Sequence, residues 1–87
     1  MDKVFIVEKE EQDDHSSYWV VKEVCASARL AHAALTRIFE KEATEFLQRP
    51  VLPPGTHRVQ RQDGSWYWTS DDWVFGGYRI KEYEVTK

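Results

Sequence analysis

Two groups of side chains in this sequence have the residue types that metal binding requires. Asp13, Asp14 and His15 are consecutive, as are Asp71 and Asp72, and carboxylates and imidazoles are common ligands of divalent cations. Neighbouring residues of an extended segment point in opposite directions, however, and neither group has an obvious further ligand elsewhere in the chain. We therefore interpret both groups as solvated turns and predict no bound metal.

Candidates for nucleophilic or acid–base catalysis are few. Cys25 is the single cysteine, and its position at the start of a predicted helix would lower the pKa of its thiol. His32 lies on the predicted polar side of that helix, so we interpret Cys25 as a buried structural residue. The sequence has no glycine-rich phosphate loop, nucleophile elbow or His-Glu-x-x-His motif. It therefore predicts a protein that is not an enzyme and needs no cofactor, with a small hydrolase built on Asp71, Asp72 and His57 as a further alternative.

The most unusual feature of the sequence is its aromatic content. Residues 66–78 read WYWTSDDWVFGGY and contain six aromatic side chains in thirteen positions. Each large ring buries about 150–250 Å² when it packs. These rings therefore either complete a small core or form a surface for a partner, and the elements that carry them decide between the two.

The first half of the chain predicts a hairpin followed by a helix. KVFIVEKE and YWVVKEVCA are rich in β-branched and aromatic residues and flank the polar segment EEQDDHSS, so residues 3–25 read as an antiparallel hairpin. The next apolar residues are spaced by three and four, which predicts a helix over about 28–48. Ser27 is its predicted N-cap, and Pro50 cannot continue it. The apolar stripe of this helix comprises Ala31, Ala34, Leu35, Ile38, Phe39, Ala43, Phe46 and Leu47.

The second half reads as three strands. HRVQRQ and SWYWTS flank Asp63 and Gly64, a pair that favours a type I′ hairpin turn, and YRIKEYEV follows Gly76 and Gly77. The order β-β-α-β-β-β predicts an α+β fold in which a single helix packs on a mostly antiparallel sheet. Residues 1–87 are predicted to form a single domain.

Strand alternation sorts the aromatic residues by face. Trp66 and Trp68 are expected on the helix side, in a core with Phe75, Ile80, Phe5, Val7, Trp19 and Val21. One helix covers one face of a sheet only, so rings on the other face are predicted to be exposed and available to a partner. We assign this role to Trp73, Tyr67, Tyr78 and Tyr18. Arg58 and Arg61, which fall on opposite faces of one strand unless a bulge intervenes, are candidates for pairing an anionic ligand.

Three segments resemble an uncharacterised family of small phage and bacterial proteins. The segments are VFIVEKEE at 4–11, CASARLAHAA at 25–34 and YRIKEYEV at 78–85, which match a V-F-x-V strand, a helix start with small residues and a Y-x-I-x-E-Y-E-V ending. The resemblance covers about half of the chain, and residues 50–75 depart from the family pattern. It implies an α+β fold and a phage or mobile-element source, and it supplies no catalytic residues.

Charge and composition limit the class of partner. The formal net charge is −3, and residues 1–26 carry three lysines against seven acidic residues, so no basic patch favours duplex nucleic acid. No apolar run approaches the ~18 residues of a membrane span, the N-terminus has no signal-peptide pattern, and one cysteine excludes an internal disulfide. These features predict a cytoplasmic protein, in the host cytoplasm if the gene belongs to a phage.

Two hypotheses for function follow from the sequence. The first is a non-catalytic binding protein, in particular a phage-type inhibitor that occupies a bacterial host (defence) protein with its aromatic face. The second is a homodimeric sponge that sequesters a small nucleotide-like ligand between rings and arginines, and an isologous dimer interface would itself account for exposed rings.

Overall fold

The computed structural model describes residues 2–71 and 73–85, so the predicted turn residue Asp72 lies outside the described residues. In chain order its elements are β1 (Asp2–Gln12), β2 (Ser17–Cys25), α1 (Ala28–Leu47), β3 (His57–Gln60), β4 (Trp66–Ser70) and β5 (Trp73–Val85). The five strands form one antiparallel sheet in the order β2-β1-β5-β4-β3, and α1 packs on one face of it. The predicted α+β fold and element order are confirmed. No helix among the described residues is long and apolar enough to cross a membrane.

The helix begins and ends close to the predicted positions. Ser27 is extended, and its Oγ accepts a hydrogen bond from the Leu30 amide at 3.2 Å, which satisfies one of the free amides of the first turn. At the other end Gln48 is left-handed (φ 54°), and the Arg49 amide donates to the Thr44 carbonyl at 3.0 Å. These two caps confine the helix to the segment in which apolar residues recur every three or four positions.

The core is centred on the ring of Phe39. This ring stacks on Trp68 with a centroid distance of 4.0 Å and an interplanar angle of 11°, and Tyr78 meets it edge-on at 6.4 Å. The buried apolar residues are Val7, Cys25, Ala31, Ala34, Leu35, Phe39, Ala43, Trp68 and Tyr78. The alanines allow α1 to lie close to the sheet, so a few large rings fill the space that remains.

The helix stripe is confirmed as far as Ala43 but not at its end. Phe46 is 69% exposed, although its ring still contacts Phe75 at a centroid distance of 5.3 Å. The predicted stripe is therefore largely outside the core at Phe46.

The turn between β3 and β4 differs from the predicted type. The Gly64 amide donates to the Arg61 carbonyl at 3.0 Å, and the Arg61 amide donates to the Ser65 carbonyl at 2.7 Å. Gly64 has a φ of 89°, whereas Asp63 does not have a positive φ. A type I′ turn needs a positive φ at both central residues, so the predicted turn type is wrong. The Asp63 carboxylate instead accepts hydrogen bonds from the amide and hydroxyl of Ser65.

A bulge in β2 changes which residues face the helix. Lys22 has no partner in β1, because Val7 pairs with Glu23 and the next residue of β1 pairs with Val21. One extra residue inverts the alternation of the strand beyond it. Trp19 and Val21 therefore lie on the face away from α1, and their predicted place in the core is wrong.

Two phenylalanines of α1 provide a matched test of this core. We expect Phe39→Ala to lower the free energy of unfolding by about 3–5 kcal/mol, the usual cost of truncating a buried aromatic residue. Phe46→Ala, two turns later in the same helix and largely exposed, should cost less than about 1 kcal/mol. Urea denaturation followed by circular dichroism measures both. Equal losses would show that the core is not centred on Phe39.

Candidate interaction surface

The sheet face turned away from α1, here called the open face, has no element packed on it in the described part of the chain. Directly paired residues share a face, so the pairing of Ile6 with Val24 and Lys81 places all three opposite the buried Val7. The large hydrophobic residues of the open face are Val4, Ile6, Trp19, Val21, Val24, Val59, Tyr67, Val74, Tyr83 and Val85. Among the nine exposed large hydrophobic side chains that we find, five lie here, namely Val21, Val24, Val74, Tyr83 and Val85.

Arginine side chains cover two rings of the open face, those of Trp19 and Tyr67. The Arg79 guanidinium lies 4.0 Å from the centroid of Trp19, and its Nε donates to the Glu8 carboxylate at 2.8 Å. The Arg61 guanidinium lies 5.2 Å from the centroid of Tyr67. A cation over a ring gains from the quadrupole of that ring. It also occupies the ring face while its edge N–H groups still point toward acceptors.

A third arginine stack lies on the helix side of the sheet. Arg58 is 5.5 Å from the ring of Trp66 and 5.9 Å from that of Trp68, and His32 meets Trp66 edge-on at 5.2 Å. Burial first, and then the charge of Arg58, hold the pKa of His32 below its ordinary value, so its imidazole is neutral at pH 7. His32 is therefore half-buried against a ring, not on the polar side of the helix as its sequence position suggested. Arg58 and Arg61 lie on opposite faces, as predicted.

The four aromatic residues predicted to form the exposed surface are distributed differently in the structure. Tyr18 is 47% exposed at the end of the β1–β2 hairpin, but its pairing with Glu11 puts it in the helix-facing alternation and not on the open face. Tyr67 is half-buried on the open face below its arginine. Tyr78 is fully buried, and Trp73 is half-buried against Phe39. The predicted exposure of Tyr78 and Trp73 is wrong.

The cause of both errors lies in β5. This strand begins at Trp73, so that residue is not in a loop and shares the helix side with Phe75. Beyond Phe75, Gly77 forms a bulge, because Tyr67 pairs with Gly76 and the preceding residue of β4 already pairs with Tyr78. The extra residue returns the Tyr78 ring to the helix side. Gly77 has a φ of 118°, a conformation that other residues rarely adopt.

A half-buried polar network under α1 was not expected from the sequence. The Glu42 carboxylate accepts a hydrogen bond from the Tyr78 hydroxyl at 2.9 Å and pairs with Lys9 at 3.2 Å and Lys22 at 3.4 Å. Two signals indicate it in retrospect. Glu42 lies three residues after Phe39 on the apolar stripe, and Lys9 continues the helix-facing alternation of β1 after Val7.

Within the described residues, the side chains considered for metal binding do not assemble into a site. The Asp13 carboxylate accepts the amides of His15 and Ser16, both at 2.8 Å, and all three residues are exposed, so the predicted solvated turn is confirmed there. Burial, and secondarily the charge of Glu23, raise the pKa of the Cys25 thiol. No group of three metal-binding side chains occurs in residues 2–71 and 73–85.

No family model, characterised protein or solved structure matches this chain significantly. The resemblance to small phage and bacterial proteins therefore stays a prediction from sequence.

The Glu42 network should make stability depend on pH. Burial raises the pKa of Glu42, but the hydrogen bonds from Tyr78 and Lys9 and the charges of Lys9 and Lys22 outweigh it, so the pKa falls below its ordinary value of 4.5. A depressed pKa stabilises the fold fully above the unfolded-state pKa, and this stabilisation is lost as the pH falls through the folded-state pKa. We expect Glu42→Gln to lose about 1–3 kcal/mol at pH 7 and to show a weaker acid dependence below about pH 5. Urea titrations from neutral to acidic pH measure both, and an unchanged acid dependence would contradict this role.

Trp73 and Tyr67 should respond differently to truncation. Trp73→Ala should lower the free energy of unfolding by about 2 kcal/mol. Truncation of a fully buried aromatic residue costs roughly 3–5 kcal/mol, and a half-buried ring has fewer contacts to lose. Tyr67→Ala should cost less, about 1 kcal/mol, because its ring packs under the Arg61 guanidinium on the open face and not against the core. Circular dichroism during urea denaturation distinguishes them. If Trp73→Ala is as mild as Tyr67→Ala, the ring belongs to an exposed surface after all.

Proposed function

We propose that this protein is a non-catalytic binding protein that docks on another protein through its open face. The observation that carries the proposal is the concentration of exposed apolar side chains on one uncovered sheet face. Exposed apolar side chains gathered on one uncovered face are typical of interaction sites. Tyrosine, tryptophan and arginine, which make up much of the rest of the face, are the residues enriched at the centres of such sites.

The charges of the open face indicate the chemistry of the partner surface. Arg79 and Arg61 each hold one carboxylate, with the Arg61–Glu10 pair at the long distance of 4.0 Å. Lys81 has no acidic partner among the described residues. Guanidinium and ammonium groups donate hydrogen bonds and carry positive charge, so they bind hydrogen-bond acceptors such as carboxylates and repel cations. We therefore propose a partner surface that is largely apolar and carries carboxylate groups.

At a finer level, the partner is proposed to be a bacterial host protein and the chain a phage-type inhibitor. The support comes from the resemblance of segments 4–11, 25–34 and 78–85, from the small size of the chain and from its acidic balance. An inhibitor of this kind needs a docking surface and no catalytic set, which fits the open face.

A nucleotide sponge is less well supported. Trp19 and Tyr67, the open-face rings that lie beside arginines, already carry guanidinium groups at 4.0 Å and 5.2 Å. Arg58 and Arg61 lie on opposite faces, so one site cannot use both. A base would have to displace an arginine from its ring before it stacked.

The open face can be tested by substitutions at two of its exposed apolar residues, with an exposed apolar residue outside it as the control. Val74 and Tyr83 are 66% and 46% exposed on this face, and Val51 is 72% exposed in a loop outside it. We expect V74E/Y83E to lose capture of a specific partner from lysate of the source cells by roughly tenfold or more, because the new carboxylates repel those of the partner and oppose apolar contact. V51E should capture as much as the unmodified protein.

Photo-crosslinking decides whether the captured protein sits on the open face. A benzophenone amino acid at position 74 should crosslink to the partner, and the same group at position 51 should not. Capture that survives V74E/Y83E, crosslinking at position 51 alone, or the absence of any specific partner would overturn the proposal.

A further inference from the structure

The two edges of the sheet differ in how open they are to another strand. β3 is a four-residue edge strand, whereas the edge strand β2 has nine residues, and no strand pairs with its outer side among the described residues. Short edges resist pairing, and a long edge leaves a row of backbone donors and acceptors for a further strand. β2 is therefore the edge at which the sheet can be extended.

From Val20 to Cys25, the faces of β2 read the same in both directions. Val21 and Val24 are on the open face, because they pair with Glu8 and Ile6. The two residues between them both point toward α1, since Lys22 pairs with Glu42 and Glu23 pairs with Arg37 of the helix. Outside the valines, Val20 and Cys25 are on the helix side. The bulge at Lys22 thus makes this segment symmetric in face about the point between Lys22 and Glu23.

This symmetry allows two antiparallel copies of β2 to pair in a register centred on the bulge. Around a two-fold axis between Lys22 and Glu23, Val21 lies opposite Val24 of the second copy, and Val20 lies opposite Cys25 of the second copy. Each directly opposed pair then shares a face, as a sheet requires. Without the bulge, the same register would pair each residue with a residue whose side chain points to the opposite face of the sheet.

Charge complementarity favours the same register. Lys22 lies opposite Glu23 of the second copy, and this pairing occurs twice because of the two-fold axis. In one copy Lys22 is 3.4 Å from Glu42, and Glu23 is 2.7 Å from Arg37. Pairing therefore joins these ion pairs into a row of alternating charge across the interface, and opposite charges directly opposed stabilise a strand pair.

The helix side of this edge contains space for the second copy. An open cleft of about 440 Å³ lies between β2 and α1, with Cys25, Leu30, Ala33 and Arg37 among its lining residues. Leu30 is 49% exposed, and Ala33 is exposed beside it. In a two-fold arrangement the same helix surface of each copy faces the axis, so these side chains meet and fill the cleft.

We infer that this protein forms a homodimer in which the β2 strands of two copies pair antiparallel, with Val21 opposite Val24, into one ten-stranded sheet. The inference does not rest on the proposed partner. The interface is small, so the dimer is expected at micromolar concentrations.

Charge variants at the two valines test both the dimer and its register. In V21K/V24K each lysine lies opposite a lysine, so the dimer should dissociate about tenfold or more readily. In V21K/V24E each lysine lies opposite a glutamate, and pairing should be restored. Val21 and Val24 are 54% and 58% exposed in one copy, so both variants should fold. V74K, at a similarly exposed position away from β2, is the control and should dimerise normally.

Native mass spectrometry and sedimentation measure the mass over about 1–100 µM, the range of weak specific complexes. The unmodified protein should show twice the 10.3 kDa of one chain. Oxidation of V20C should link position 20 to Cys25 of the second copy, because directly opposed residues lie within disulfide reach, and V74C should not. A monomer at all concentrations would mean that the bulge and Lys22 protect the edge from pairing. That result, or equal dimerisation of V21K/V24K and V21K/V24E, would overturn the inference, whereas loss of partner capture alone would not.

Discussion

A single helix packs on the five-stranded sheet of this protein, and this limits the burial of large side chains to one face of the sheet. The helix can bury one face only, so the core is built around the stack of Phe39 on Trp68. Rings on the other face have no helix to cover them. Arginines take that place over Trp19 and Tyr67, and they provide a charged cover that a partner surface can use. The open face is thus a direct consequence of how the core is made.

The elements could be predicted from the sequence, and the assignment of faces could not. Periodicity and capping residues are local, so the helix and its Ser27 cap were predictable. The face of each residue depends on all the residues before it in the strand. A single extra residue therefore inverts the face of every residue that follows it. Bulges at Lys22 and Gly77 did this in β2 and β5. A glycine pair in a strand suggests a bulge, but a lysine between valines carries no such signal.

The polar network at Glu42 shows a second limit of pattern reading. Lys9, Glu42 and Tyr78 each look like exceptions to an apolar pattern when taken singly, and each is explained only by the other two. Their contacts join residues 33 and 36 positions apart in the chain. Charged side chains are tolerated under a helix when every one of them is paired, so only the register of the sheet against α1 makes this cluster interpretable.

The two proposed contacts use different directions of the same sheet and do not compete. Strand pairing uses the backbone edge of β2, in the plane of the sheet, whereas docking uses side chains perpendicular to that plane. Pairing at β2 would place the two open faces side by side, with Val21 and Val24 of both copies near the two-fold axis. A partner that is itself two-fold symmetric would then engage both halves at once, and binding through linked sites is stronger than through either alone. The bulge at Lys22 would be the feature that links the two, because it places Val21 on the same side as Val24 and makes the segment from Val20 to Cys25 symmetric in face.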